Sequence, residues 1–338
     1  MSDQGGVLIN PSILETRRDP QNLLKEDRVL FADAVEYSTK DCYLRALGTV
    51  RVSPDSVVYK NGVLVKETVV AEDQVSYYRF RHLAKKLVTG RKVRLDDKRQ
   101  YLLVTDAWSA GHFHWFMEVL PKLWVIRDRT KEFVLLLPDT GYVKHIGLPS
   151  LELLNLRFAD IVLMKDFDFF KVRHLYYISR IAAPGQVDDR LMRELNEAFV
   201  GKKAGGAKKI YISRARARVR KVLNETELTA KLRDHGFEIL LAEDLSLSEQ
   251  IDTFAECSTL LGLHGAGLTN CVFMKPGGNV IELRKREKNY GYWHLADSLD
   301  HKYSYYHGIA DSDNSLIGNG SNLTVLLADF EEKILTKI

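Results

Sequence analysis

The stretch STLLGLHGAGLTNCVFMKPGGNVIEL, residues 258–283, decides the fold. It opens on an apolar run, STLLGL, turns on His264-Gly265-Ala266-Gly267, continues through a short helical segment, AGLTNCVFM, and turns again into NVIEL. Strand, tight turn, helix and strand in that order are the repeating unit of a parallel α/β sheet. Small residues at 265–267 let the chain turn sharply and let a ligand approach backbone N–H groups. The helix that follows presents its N-terminus, which attracts anions. A phosphate or pyrophosphate is the expected occupant, with Thr269 and Asn270 one turn further in as additional donors. The bland alternative is that these glycines only close a strand–helix turn, since the stretch is neither the dinucleotide fingerprint nor a Walker loop.

Working outward, the same alternation continues on both sides. Upstream lie a helix over 188–200, a Gly/Lys loop over 201–209, the strand IYISR (210–214), a helix over 224–236 with Asn224 as N-cap and Gly236 at its C-terminal end, the strand FEILL (237–241), and a helix over 246–257 opening on the capping-box pair Ser246 and Glu249. A first alternating block runs from YLLVTD (101–106) through a helix over 114–128, FVLLLPD (133–139), a helix over 147–156, IVLMK (161–165) and HLYYIS (174–179). Ala183-Pro184-Gly185 marks a seam, which divides the chain at 1–185 and 186–338. The expectation is two α/β domains with a ligand cleft between them. Residues 1 to about 25 read as an irregular leader and residues 29–71 as a small β-rich element, in which VVYKNGVLVKETVV (57–70) carries the hairpin signal Asn61-Gly62. VSYYRFRHLAKKLV (75–88) reads as a basic amphipathic helix, and 323–338 as a closing helix.

Three segments carry candidate chemistry. The first is the turn at 264–270. The second is ISRARARVRK (212–221), where Arg214, Arg216, Arg218, Arg220 and Lys221 follow a strand. Arginine grips phosphate oxygens at two points, although alternate positions of an extended stretch point different ways, so all five cannot face one ligand. The third is DAWSAGHFHWFMEVLPKL (106–123). His114 and Glu118 share a helix face there, and either can serve as a general base toward an acceptor hydroxyl. The alternative is a packing histidine and a surface carboxylate. The triplets Asp166-Phe167-Asp168 and Asp311-Ser312-Asp313 have the form that holds a divalent metal on a diphosphate, a form that also arises by chance.

Composition narrows the class. Hydrophobic residues are 45% of the 338, charged residues 28%, and the formal net charge is +4, as in an ordinary globular enzyme. The 45 acidic residues are spread evenly, which counts against nucleic acid as a partner. Cys42, Cys257 and Cys271 suggest neither a disulfide framework nor a zinc site. No signal peptide or membrane span is expected, the sequons at Asn224, Asn319 and Asn322 read as chance, and a cytoplasmic location follows. The basic stretch 80–95 reads as a solvated face, with contact to an anionic membrane surface as the other reading.

Taken together, these segments resemble glycosyltransferase family 61. The resemblance rests on His114-Trp115-x-x-Glu118-x-x-Pro121-Lys122-Leu123, on Ile212-Ser213-Arg214 followed by Arg220-Lys221-x-x-Asn224-Glu225, and on His264-Gly265-Ala266-Gly267-Leu268-Thr269-Asn270 with Phe273, Pro276-Gly277 and Glu282 behind it. It covers roughly residues 100–290. It implies a GT-B-like fold of two Rossmann-type domains, transfer with inversion from a nucleotide-sugar donor to a glycan or glycolipid acceptor, and no essential metal or other cofactor. Carried over by position, it implies that Arg214, Arg220 and Lys221 hold the pyrophosphate, that the turn His264, Gly265, Ala266, Gly267, Thr269, Asn270 caps it, that Glu282 meets the ribose, and that His114 and Glu118 face the acceptor. It further implies a bacterial-type role in capsule or lipopolysaccharide synthesis. One departure is Lys122, where the family commonly has arginine: the charge is kept and two-point recognition is not. The readings that compete with it are a nucleic-acid or polyphosphate binder and a metal-dependent transferase using one D-x-D.

Overall fold

In a computed structural model, the chain is described over residues 6–70, 72–95, 98–313 and 320–338, so Asn319 lies outside the described residues. It divides into two compact units, one made of 1–13 and 40–182, the other of 14–39 and 183–338. Each contains a parallel sheet flanked by helices, so the chain is an α/β protein.

In the first unit, strands β1 (Cys42–Val52), β2 (Gln100–Leu103), β3 (Phe133–Pro138), β4 (Asp160–Met164) and β5 (Asp168–Ile178) lie in the order β4-β3-β2-β5-β1. The first four are mutually parallel and β1 runs antiparallel to β5. Phe133 to Leu137 are all fully buried, the continuous apolar run of a strand covered on both faces. β1 instead alternates buried and accessible residues toward the edge. The β-rich stretch of the sequence is therefore not a separate element. Its strands, including the Val58–Lys60 and Val63–Leu64 hairpin, extend this sheet. Asn61 and Gly62 at the hairpin tip both have positive φ, 51° and 77°, as a tight primed turn requires. Helix α1 (112–125) follows β2. It is interrupted by a π turn over Trp115–Val119. The widening comes just before Pro121, which has no N–H to give the carbonyl one turn back.

The second unit holds α2 (Asp189–Val200), β6 (Lys208–Ile212), α3 (Glu225–Asp234), β7 (Phe237–Leu240), α4 (Leu247–Ala255), β8 (Cys257–Leu263), a 3-10 helix at Ala266–Phe273, β9 (Asn279–Arg284), α5 (Gly291–Ser298), β10 (Lys302–His307) and α6 (Leu327–Lys333). Its five strands are all parallel, in the order β7-β6-β8-β9-β10. One face buries Tyr211, Leu261, Leu263, Ile281 and Leu283 against Leu228 and Leu232 of α3 and Phe330 of α6. The alternate residues Ile212 and Gly262 meet the 3-10 helix on the other face, where a side chain at Gly267 would come within 2.8 Å of Ile212.

Some local readings change. The leader is not irregular: Gly6–Asn10 pairs with β1, and residues 14–39, read from the sequence with the first block, pack in the second unit. There Arg17 is fully buried, 2.5 Å from Asp189 and 3.6 Å from Asp297. Ser246 and Glu249 form the expected capping box. Asn224 stands at the N-cap of α3, but its side chain bonds Val325 in both directions rather than the helix. The closing segment is a short strand at Leu323–Thr324 before α6 and a 3-10 turn, not one helix. The segment containing α5 and β10 carried no assignment from the sequence. Cys42, Cys257 and Cys271 are buried and form no disulfide among the described residues, and among the same residues no helix is long and apolar enough to cross a membrane.

Candidate functional site

Strand order locates a candidate site in each unit. In an open parallel sheet, the position where chain order reverses leaves a crevice at the carboxyl ends of two neighbouring strands. In the first unit that position is between β2 and β5, paired through Leu103 and Tyr177. In the second it is between β6 and β8, paired through Ile212 and Gly262.

At the first position Asp106 follows β2 and Arg180 follows β5. Arg180 forms a short ion pair with Asp106, and its other terminal nitrogen lies 3.3 Å from Glu118 Oε2. Glu118 Oε1 is 2.9 Å from His114 Nδ1. Asp106 is held in turn by the Trp108 N–H and the Ser109 hydroxyl, both at 3.0 Å. A chain of charges thus runs from the sheet to the imidazole. A carboxylate can only accept here, so Nδ1–H donates to it and Nε2 is the acceptor nitrogen of the neutral ring. His114 is a quarter exposed and Glu118 a tenth, and Nε2 has no hydrogen-bond partner among the described residues. The Trp108 ring sits 5.2 Å from that of His114.

Lys122 lies behind this chain. It is buried, and its Nζ donates to the carbonyl of Val104 at 2.9 Å. Burial pushes its pKa down and Arg180 adds to that, while Asp106 and Glu118 oppose it. Its contact is with the end of the adjoining strand region, where one donor suffices and two-point recognition is not needed.

At the second position Arg214 follows β6. Its guanidinium donates to the carbonyls of Arg220, at 2.8 Å, and Val219, at 3.1 Å, folding the loop back on itself. Arg220 holds a positive φ of 58°, a conformation a non-glycine residue keeps only when its surroundings impose it. Neither arginine forms an ion pair with a described residue. Burial lowers the Arg214 pKa, and the neighbouring charge of Arg220 lowers it further. The two cations are close enough to repel each other, Glu243 offsets part of that repulsion at Arg214 without pairing with it, and such an arrangement suits an anion. Arg216 pairs with Asp244 instead. Arg218 and Lys221 are exposed.

Gly265 joins the two motifs. Its φ of 155° and ψ of 174° are essentially restricted to glycine, and a Cβ there would lie 2.7 Å from Arg214 Nη1. The missing side chain is what lets the guanidinium rest against the turn. The helix after it is 3-10 rather than α. Thr269 and Asn270 are almost wholly buried, and the Asn270 amide donates to the carbonyl of Gly267 at 3.0 Å. The Asn270 amide thus braces the turn, while the Thr269 hydroxyl and Asn270 Oδ1 are buried without a hydrogen-bond partner among the described residues.

Glu282 also departs from expectation. It is buried, with one oxygen in a short bond to His264 Nδ1 and the other accepting from the Tyr303 hydroxyl at 2.5 Å. Both oxygens are engaged inside the fold, and the residue is only 1% exposed. Burial raises its pKa, but His264, Arg284 and the Tyr303 hydroxyl together hold the carboxyl below its ordinary range. His264 receives the Asn289 amide on Nε2 at 3.2 Å and packs against Tyr292, ring centroids 5.1 Å apart. Glu282 therefore orients His264 rather than touching substrate.

The two D-x-D triplets do not gather ligands. Asp168 is buried and paired with Arg91 at 2.5 Å. Asp311 accepts from the Asn322 backbone and side chain. Among the described residues no group of three or more His, Cys, Asp or Glu converges.

Sequence reasoning missed Asp106 and Arg180 as partners of Glu118, and Tyr292, Tyr303, Arg284 and Asn289 around His264. A charge immediately after each of two strands flanking a reversal of strand order was the available signal for the first pair.

His114, Glu118, Arg180, Arg214, Arg220 and the 264–270 turn fall in a stretch that one family model recognises. A family model described as Glycosyltransferase 61 matches residues 112–281, half of the chain. Over 73 residues the chain is 33% identical to the alpha-1,3-arabinosyltransferase XAT2 of Oryza sativa subsp. japonica, a stretch that is 20% of this chain and 12% of that protein. Over 72 residues it is 35% identical to the alpha-1,3-arabinosyltransferase XAT3 of the same organism, again 20% and 12%. The shared stretch is thus a small part of either relative's length. With a match over half its length and the motif residues in order, the chain belongs to glycosyltransferase family 61.

Proposed function

We propose that this protein is an inverting, GT-B-type glycosyltransferase that moves a pentosyl or hexosyl group from a nucleotide-sugar donor to a glycan or glycolipid acceptor. On this reading it works in the cytoplasm, in cell-surface polysaccharide synthesis, without an essential metal. The observation that carries the reading is the pair Arg214 and Arg220, two neighbouring cations with no ion-pair partner among the described residues and with the Arg220 Nε buried and unbonded, beside the Gly265 turn at the strand-order reversal of the second unit. The arabinosyltransferase relatives favour a pentose among the donors.

The chemistry divides between the two constellations. The acceptor hydroxyl gives its proton to His114 Nε2 as its oxygen attacks the anomeric carbon. Glu118 stabilises the imidazolium through Nδ1, with Arg180 and Asp106 holding Glu118. His114 is the base rather than Glu118 because both carboxylate oxygens are already engaged, by His114 and by Arg180. The bond from the anomeric carbon to the diphosphate breaks in the same displacement, which inverts the configuration. Arg214 and Arg220 receive the charge that develops on the departing diphosphate.

Thermal unfolding with UDP, GDP, CMP and dTDP, each with and without a chelator, tests this. A ligand that binds only the folded state raises the midpoint in proportion to RT ln(1 + [L]/Kd). The expected result is stabilisation by one nucleotide, kept in chelator and lost in Arg214→Ala. No shift with any nucleotide would remove the support for a donor site, and a shift abolished by chelator would favour a metal-dependent transferase.

A further inference from the structure

We propose that the helix over 75–89 and the neighbouring hairpin tip form a docking surface for an anionic lipid bilayer. This inference concerns the first unit alone and does not depend on the transferase reading. The helix has two apolar stripes where an ordinary surface helix has one. The inner stripe is accounted for: Tyr78 is buried with Tyr59, Val57 and Phe169, and His82 hydrogen bonds the Tyr59 hydroxyl at 2.7 Å. The outer stripe comprises Tyr77, Phe80, Ala84, Leu87 and Val88, and all five are exposed, Phe80 by 70% and Val88 by 85%. The spacings of three, four, three and one place them along one side of the helix. Beside it, the hairpin tip contributes Val63, 69% exposed, and the two elements enclose an open groove of about 490 Å³ lined by Gly62, Val63, Leu64, Phe80, Leu83 and Leu87 together with the stems of Lys66 and Arg79.

Charge identifies the occupant. Residues 75–89 contain Arg79, Arg81, Lys85 and Lys86 and no Asp or Glu, in a chain whose totals are 49 and 45. Lys66, Arg79, Arg81 and Lys85 are exposed beside the stripe, and none forms an ion pair with a described residue. A partner that accepts exposed aromatic and aliphatic side chains while also neutralising the cations around them is a bilayer surface bearing anionic headgroups. Phe80, Leu87, Val88 and Val63 would enter the boundary between headgroups and acyl chains, and the lysines and arginines would reach the phosphates on their apolar stems.

Sedimentation of the full chain with phosphatidylcholine vesicles, with and without phosphatidylglycerol, tests the proposal. The expected result is binding only where the anionic lipid is present, weakening as salt is raised. Neutralising one cation lowers the partition coefficient about fivefold, which corresponds to ~1 kcal/mol, so Arg81→Gln with Lys85→Gln should cost roughly thirtyfold. Phe80→Ser should cost about tenfold through lost apolar burial. All three side chains are exposed, so the thermal midpoint should not move, and the charge and apolar variants check each other. Equal binding to both vesicle types, no binding to either, or binding indifferent to these substitutions would overturn the proposal. So would self-association that Phe80→Ser abolishes in a chain that ignores lipid, which would assign the patch to a second copy.

Discussion

The constellation of the first unit and that of the second are built on opposite principles. Around His114 every charge is answered from within: Asp106 by Arg180, Arg180 also by Glu118, Glu118 by the imidazole. Around Gly265 the Arg214 guanidinium bonds only loop carbonyls, and the buried Arg220 Nε has no hydrogen-bond partner among the described residues. A group that must move a proton has to be oriented before the substrate arrives, so its partners are internal. A group that must grip an anion serves best when the anion completes it. On the proposed reading the contrast is between a pre-assembled proton site and an open anion site, and it can be broken experimentally.

The largest effect is expected at His114. His114→Gln keeps the volume and removes the basic nitrogen, so kcat should fall by roughly 10² to 10⁴, while the thermal shift given by the nucleotide stays as in the parent chain. Steady-state kinetics and the thermal shift on one preparation check both. If the nucleotide shift disappears as well, the two constellations are not functionally separate and the comparison fails.

Next come the two arginines, which should behave differently when no ligand is present. Arg180→Ala strands Asp106 and Glu118 as neighbouring, largely buried carboxylates. The free protein should lose about 3 kcal/mol of stability. Arg214→Ala removes two hydrogen bonds to loop carbonyls but also relieves its repulsion with Arg220, so the change should stay within about 1 kcal/mol. Its loss appears in the donor instead, with kcat/KM reduced about tenfold to a hundredfold. Denaturant unfolding of both variants sharpens the comparison, and equal losses would erase it. A smaller version of the same effect is expected from Gly265→Ala. A methyl 2.7 Å from Arg214 Nη1 pushes the guanidinium aside and also strains a backbone at φ 155° that glycine alone holds readily, so donor affinity should drop about tenfold and the free protein should lose about 1–3 kcal/mol of stability. Titration calorimetry with the stabilising nucleotide reads this directly.

Much of this was legible in the sequence, and the boundary has physical causes. Strands such as Phe133–Pro138 announce themselves because both faces are buried, and the helix at 247–255 because Ser246 and Glu249 complete each other locally. His114 and Glu118 could be paired because helical spacing fixes which residues meet. Arg180 could not, because 62 residues separate it from Glu118 and only strand order brings them together. The role of Glu282 was misread for a related reason. Its neighbours Tyr303 and Arg284 come from β10 and from its own strand, and one-dimensional reading does not tell a carboxylate facing a ligand from one facing a buried hydroxyl. Residues 14–39 escaped because their partners, Asp189 and Asp297, lie well over a hundred residues away.

The smallest effect concerns acid, and it falls on the second unit. His294 sits between the carbonyls of Ala34 and Gly185, each at 3.0 Å, and His301 reaches the carbonyl of Cys271 at 3.1 Å. Burial lowers both pKa values from 6.5 to about 4, with the charge of Arg17 adding to the shift at His294 and that of Arg18 at His301. The sign follows from proton counting. Between these values the unfolded chain binds a proton at each histidine that the folded chain refuses, so stability falls as pH drops from about 6.5 toward 4, by up to ~1.4 kcal/mol per pH unit for each group. Glu282 works at the lower end of the same range. Its depressed pKa contributes stability that is complete above the ordinary carboxylate value and is lost as pH falls through the folded one. Chemical denaturation between pH 7 and 4 should therefore show a steeper loss for the parent chain than for His301→Gln, which has no proton to take up. His301 meets the 3-10 helix behind the Gly265 turn through the Cys271 carbonyl, so a change in the nucleotide-induced shift of His301→Gln at pH 7 would mean that the anion site depends on the core of the second unit, and that the open site is less independent of its surroundings than its unpaired arginines suggest.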